Sequence, residues 1–119
     1  NLQYGETEAE VQAAMAAMGA HIHTDPDLDR FDDLDGLAAL IDGLDLVITT
    51  SNVTAHFAGA LGKDCWLALQ RSPLWYWGAA GAETLFYPTV TAYRQATADQ
   101  WADVASALAS ALERRLENR

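Results

Sequence analysis

The chain is short of positive charge and of sulfur. Seven Lys and Arg stand against seventeen Asp and Glu, for a net charge of −10. That balance excludes a nucleic-acid backbone or an anionic membrane as the main partner, since both need a cationic face. A small anion held by local dipoles is not excluded. Cys65 is the single cysteine, so no internal disulfide can form. Its isolation fits a reducing, cytoplasmic setting. No apolar run approaches the roughly 20 residues of a membrane span, and no signal peptide is visible. The chain also lacks an initiating Met and opens directly on "NLQYG". The expectation is a piece of a longer protein or half of a larger domain.

Two metal patterns fail for want of ligands. The loop "DPDLDRFDDLDG" carries alternate Asp residues, but a calcium loop needs Gly at its sixth position and Glu at its twelfth. Counted from Asp25, those places hold Arg30 and Gly36. His21 and His23 share a strand parity, yet no third zinc ligand is near in sequence. No metal and no cofactor are expected. Asn52-Val53-Thr54 fits a glycosylation sequon, but its place at a helix start in an unsecreted chain makes it irrelevant.

What is present is an alternation of strand and helix signals. "LQY" before Gly5 reads as a strand end. Thr7-x-x-Glu10 is a capping box opening a helix with Val11, Ala14, Met15 and Met18 on one face, stopped by Gly19. Ala20–His23 is a short strand candidate, and Asp33 caps a helix bearing Leu34, Leu37, Ile41 and Leu44. "LDLVITT" is β-branched without alternation, as a strand covered on both faces would be. Val53–Leu61 reads as a helix, "CWLALQ" as a strand, "SPLWYWGAAGAE" as an aromatic loop and "TVTAYRQ" as a strand near an edge. Thr97-x-x-Gln100 is a second capping box, before a helix striped by Trp101, Val104, Ala105, Leu108, Leu112 and Leu116. The pattern predicts an α/β fold over residues 1–119 as a single domain. The expected architecture is a Rossmann-like parallel sheet of about five strands with helices on both faces, a three-layer sandwich. An exposed edge of such a sheet would be open to self-association.

The stretch "TTSNVTAHFAGALG", Thr49 to Gly62, carries the candidate site. It lies at a strand's carboxyl end, where ligands of α/β sheets collect. A following helix offers free N–H groups and about half a positive charge. Ser51 or Asn52 can cap that helix. Thr54 adds a hydroxyl, and His56 falls on the face of Asn52. Val53, Phe57, Ala60 and Leu61 make an apolar back.

"LDLVITTSNVTAHFAGALGKDCWLAL" resembles the C-terminal nucleotide-binding domain of GT-B glycosyltransferases of the heptosyltransferase (family nine) type. It is most similar to the branch fused to tetratricopeptide repeats; "NLQYG" and "LFYPTVTAYRQ" resemble that branch's flanking segments. The resemblance implies an incomplete GT-B C-terminal domain that binds a nucleotide-diphosphate sugar without a metal. Ser51, Asn52, Val53, Thr54 and His56 would hold the diphosphate, Gln3 would lie near the base, and Trp75 or Trp77 would stack on sugar or base. The family's acidic residue is replaced by Ser51, and its cationic residue in the aromatic loop by Tyr76. The acceptor domain would be a missing partner, and the chain alone would not transfer sugar. The alternative is a non-catalytic Rossmann-like interaction module. A response-regulator-like fold is a weaker third reading, because the only Lys, Lys63, follows the wrong end of a helix.

Overall fold

The computed structural model describes all 119 residues, Asn1–Arg119. The chain divides into two compact units, Asn1–Leu40 and Ile41–Arg119.

The first unit contains helix α1 (Glu8–Met18) and most of helix α2 (Leu34–Asp42), which runs across the boundary. Helix α1 ends as its sequence requires. Gly19 takes a left-handed φ of +62° and donates its N–H to Met15 O, the conformation that costs glycine least. Its start is different: Thr7 makes no side-chain cap, so the expected box with Glu10 is not formed. Asp33 does cap α2, accepting the Gly36 N–H at 2.8 Å. Leu37 and Ile41 are the buried positions of that helix.

Leu2–Tyr4 and Ala20–His23 are not strands. The two segments are tied near their ends, where the Asn1 amino group donates to His23 O at 2.7 Å and Asn1 Nδ2 donates to Thr24 Oγ1 at 3.3 Å. No ladder follows. Each candidate is only three or four residues long, and His21 and Tyr4 are exposed. Neither segment has the apolar burial that would offset the entropy of a fixed strand.

The second unit holds the sheet. Strands β1 (Val47–Thr50), β2 (Cys65–Leu69) and β3 (Val90–Arg94) are parallel in the order β1-β2-β3. Helix α3 (Val53–Ala60) connects β1 to β2 and contacts all three strands, and helix α4 (Ala102–Glu117) packs on β3. The expected five-stranded sandwich is therefore corrected to a three-stranded α/β fold with four helices. The register explains the burial. Val47, Cys65 and Val90 lie side by side, as do Thr49, Leu67 and Ala92. Five of these six side chains are buried and Thr49 is half-buried, so this face is the core. The alternate row of Ile48, Trp66 and Thr91 is not buried, and Ile48 is 45% exposed. The continuous apolar run of β1 predicted cover on both faces; only one is fully covered.

Three cationic side chains make four contacts at the surface of this unit. Arg115 bonds Asp64 Oδ2 at 2.9 Å and Asp45 O at 3.1 Å, Arg119 pairs with Asp45 at 3.2 Å, and Lys63 donates to Asp42 O at 2.6 Å. Helix α4 starts later than expected. Asp99 adopts a φ of +59°, which breaks the helical path after Thr97, and Trp101 is an N-cap without a side-chain bond. No helix of the structure is long and apolar enough to cross a membrane.

Candidate functional site

The carboxyl end of β1 and the start of α3 form one polar turn. Asn52, with φ −153° and ψ −177°, is the N-cap of α3. Its Oδ1 accepts the Ala55 N–H at 3.4 Å, and its Nδ2 donates to Thr49 Oγ1 at 3.0 Å. A capping Asn with a fixed partner of its own is a local stabiliser worth about 1 kcal/mol. Thr54 is buried at 3% exposure, whereas Val53 faces outward at 43%.

Ser51 and His56 point into an aromatic cluster. Residues Trp75–Trp77 form one 3-10 turn after β2, and this turn sends adjacent aromatics in different directions. Trp75 is 75% exposed; Trp77 is 0% exposed. The Trp77 indole donates its Nε1–H to Ser51 Oγ at 2.8 Å. The His56 ring stacks on the same indole, 4.7 Å between centroids and 26° between planes. His56 Nδ1 lies 3.1 Å from the Tyr87 hydroxyl, and Tyr76 packs tilted against the imidazole at 5.3 Å.

Two residues absent from the sequence-level site hold this cluster in place. Tyr87 seats its ring over Gly59 of α3, where any β-carbon would run into it. This explains why a glycine stands inside that helix despite its cost of about 1 kcal/mol. Arg94, at the end of β3, binds three carbonyls: Nη2 to Trp77 O at 2.6 Å, Nη1 to Gly78 O at 3.0 Å and Nε to Gly81 O at 2.7 Å. Burial pushes the Arg94 pKa down from its ordinary value. The available signals were a Gly one turn beyond His56 and an Arg on the core-facing parity of β3. Neither is specific enough to read without coordinates.

The structure thus brings together Ser51, Asn52, His56 and Trp77 and leaves Gln3 in the other unit, where its backbone oxygen accepts from Arg30 Nε at 2.6 Å. Trp77 cannot stack on a ligand, because it is wholly enclosed; Trp75 is accessible. No three His, Cys, Asp or Glu side chains converge to hold a metal ion, and within the acidic loop the Asp25, Asp29 and Asp33 carboxylates accept backbone N–H groups of local turns. Asp29 is the clearest example. Its Oδ1 accepts from Asp32 N and Phe31 N, and those bonds hold its carboxyl below the ordinary 3.8.

No family model matches the chain, and no solved structure does. A curated relative does: Protein FlbA of Caulobacter vibrioides, 34% identical over 113 residues. The match covers 94% of this chain but only 18% of FlbA, so the chain spans less than a fifth of the relative's length. This finding overturns the expected membership of the GT-B heptosyltransferase type and its tetratricopeptide-fused branch. The nucleotide-diphosphate-sugar partner and the missing acceptor domain fall with it. The geometry gives the reason the resemblance misled: the motif's polar residues are real, but their hydrogen bonds run to Trp77, Tyr87, Thr49 and the α3 backbone.

Proposed function

We propose that the unit Ile41–Arg119 is a non-catalytic protein-interaction module. In this reading Ser51, Asn52, Thr54 and His56 are structural rather than ligand-binding: Ser51 and His56 hold the aromatic loops, Asn52 caps α3 and Thr54 is buried. One observation carries it: the crevice at the strand ends is filled by the chain's own Trp77 indole, to which Ser51 and His56 are committed. The indole takes one acceptor site of Ser51 Oγ and one face of the His56 ring, so a ligand at the strand ends would have to displace it.

What the cluster supports is an apolar face. Leu74, Trp75, Leu85 and Phe86 are each more than half exposed, and Trp75 meets Phe86 at right angles with centroids 6.2 Å apart. Single exposed apolar residues are ordinary, whereas adjacent large ones mark contact surfaces. Rigid aromatics lose little entropy on docking. The partner chemistry that fits is an apolar protein surface with little net charge, since Glu83 is the one carboxylate in the Gly78–Pro88 segment. The 18% share of FlbA is consistent with a module that works beside further protein, in a reducing cytoplasmic setting suited to the buried thiol of Cys65.

The probe is a neutral, leucine-rich amphipathic helical peptide, followed by tryptophan fluorescence. Saturable binding that disappears in Trp75→Ser/Phe86→Ser, with the fold intact by circular dichroism, is the expected result. Absent binding, or binding indifferent to those substitutions, overturns the reading.

A further inference from the structure

We propose that Gly78–Pro88 is a strap that opens and recloses over α3 as one unit, without unfolding of the sheet, with Tyr87 as its latch. No residue between Gly78 and Pro88 is buried, and Ala79–Glu83, Leu85, Phe86 and Pro88 are exposed. Both ends of its first half are glycines with left-handed φ, +77° at Gly78 and +81° at Gly81. Such joints turn at little steric cost.

Few ties hold the strap down. On β3, Ala92 donates its N–H to Ala82 O at 2.7 Å beside an isolated Glu83–Thr91 bridge, and Val90 donates its N–H to Tyr87 O at 3.1 Å. Arg94 binds the Gly78 and Gly81 carbonyls. On α3, the attachments are all made by Tyr87: its ring lies over Gly59 and edge-on to the His56 ring, and its hydroxyl meets His56 Nδ1. The same ring packs tilted against Trp77. The bond from Thr84 Oγ1 to Tyr87 O, at 2.9 Å, lies within the strap and travels with it. A segment with exposed backbone bonds and almost no buried apolar contact belongs to the low-stability end of a fold. β2, whose Cys65, Leu67 and Leu69 are 0% exposed, belongs to the other end.

Opening has two consequences. It uncovers the outer edge of His56 and the groove at Gly59. It also carries Leu85 and Phe86 away from Trp75, dissolving the apolar face. The second consequence rests on the interaction-module reading; the opening itself does not.

The test combines chymotrypsin cleavage after Leu85 and Phe86 with amide exchange of Ala92 and of β2, across sub-denaturing urea. Strap opening exposes little surface, so its rate should be nearly flat in urea, while β2 exchange follows the slope of global unfolding. Tyr87→Phe, which deletes one hydroxyl, should raise cleavage about three- to tenfold. Val104→Ala, in the buried stripe of α4, should speed β2 exchange and leave strap cleavage unchanged. Cleavage that tracks β2 exchange in urea, that rises with Val104→Ala, or that ignores Tyr87→Phe overturns the proposal. Each outcome is independent of peptide binding, so failure of the strap and failure of the contact face are told apart.

Discussion

Replacing Trp77 with Ala is the most demanding perturbation of the strand-end cluster. The indole is 0% exposed, and its ring is the surface on which His56 stacks. An aromatic of this size buries roughly 150–250 Å², which at about 25 cal/mol per Å² corresponds to about 4–6 kcal/mol of transfer free energy. That figure is an upper bound, because the unfolded chain already buries part of the surface. Measured Trp→Ala changes in cores cost about 3–5 kcal/mol, cavity included. The Ser51 hydroxyl loses its donor as well, but Ser51 is half-buried and water can replace it. A loss of about 3–5 kcal/mol is therefore expected, a large share of the roughly 5–15 kcal/mol that holds a typical domain together. Urea unfolding followed by circular dichroism reads the change as a lower midpoint at constant slope. Added indole should return part of the lost stability by filling the void, in proportion to RT ln(1 + [L]/Kd). A cost below about 1 kcal/mol, with no response to indole, would show that the cluster is loosely packed and its polar groups available.

Further expectations concern titratable groups. Burial pushes the Cys65 thiol up to about 12, so iodoacetamide at pH 8 should modify it only as fast as the unit unfolds, since the thiolate is the reactive form. Modification at the rate of a free thiol would place Cys65 outside the core. The Asp29 carboxyl is held below its ordinary 3.8 by the amides of Asp32 and Phe31. Its contribution is thus present above about pH 4 and is lost as the pH falls through the depressed value. The Phe31 and Asp32 amide resonances should shift in that lower range; a midpoint at or above the ordinary value contradicts the assignment.

Elements whose signals were local and strong were legible in the sequence. The β-branched run at Val47–Thr50 makes a strand, Asn52 caps the next helix, and Gly19 ends the first. Asp33 caps α2 for the same reason. The misses came where tertiary context decides. Thr7 and Thr97 both carry capping-box spacing, yet neither hydroxyl caps a helix. Leu2–Tyr4 and Ala20–His23 have strand-like composition but no buried partner to offset the entropy of ordering them. The donor-binding chemistry expected of Thr49–His56 was overturned. Ser, Asn and His at a helix start suit an anion and suit an internal hydrogen-bond network equally well. The choice was made by Trp77, two residues from an exposed tryptophan, and by Tyr87, which lies 31 positions from His56. No periodicity separates Trp75 from Trp77; the 3-10 turn does.

The most direct measurement is hydrogen exchange at the indole nitrogens, resolved by NMR. If the strand-end polar groups are committed within the fold, Trp77 Nε1–H, bonded to Ser51, should be strongly protected while Trp75 Nε1–H exchanges at the rate of a solvated indole. Equal, fast exchange at the two positions would mean that the crevice stands open and that Ser51 and His56 are free to bind something else.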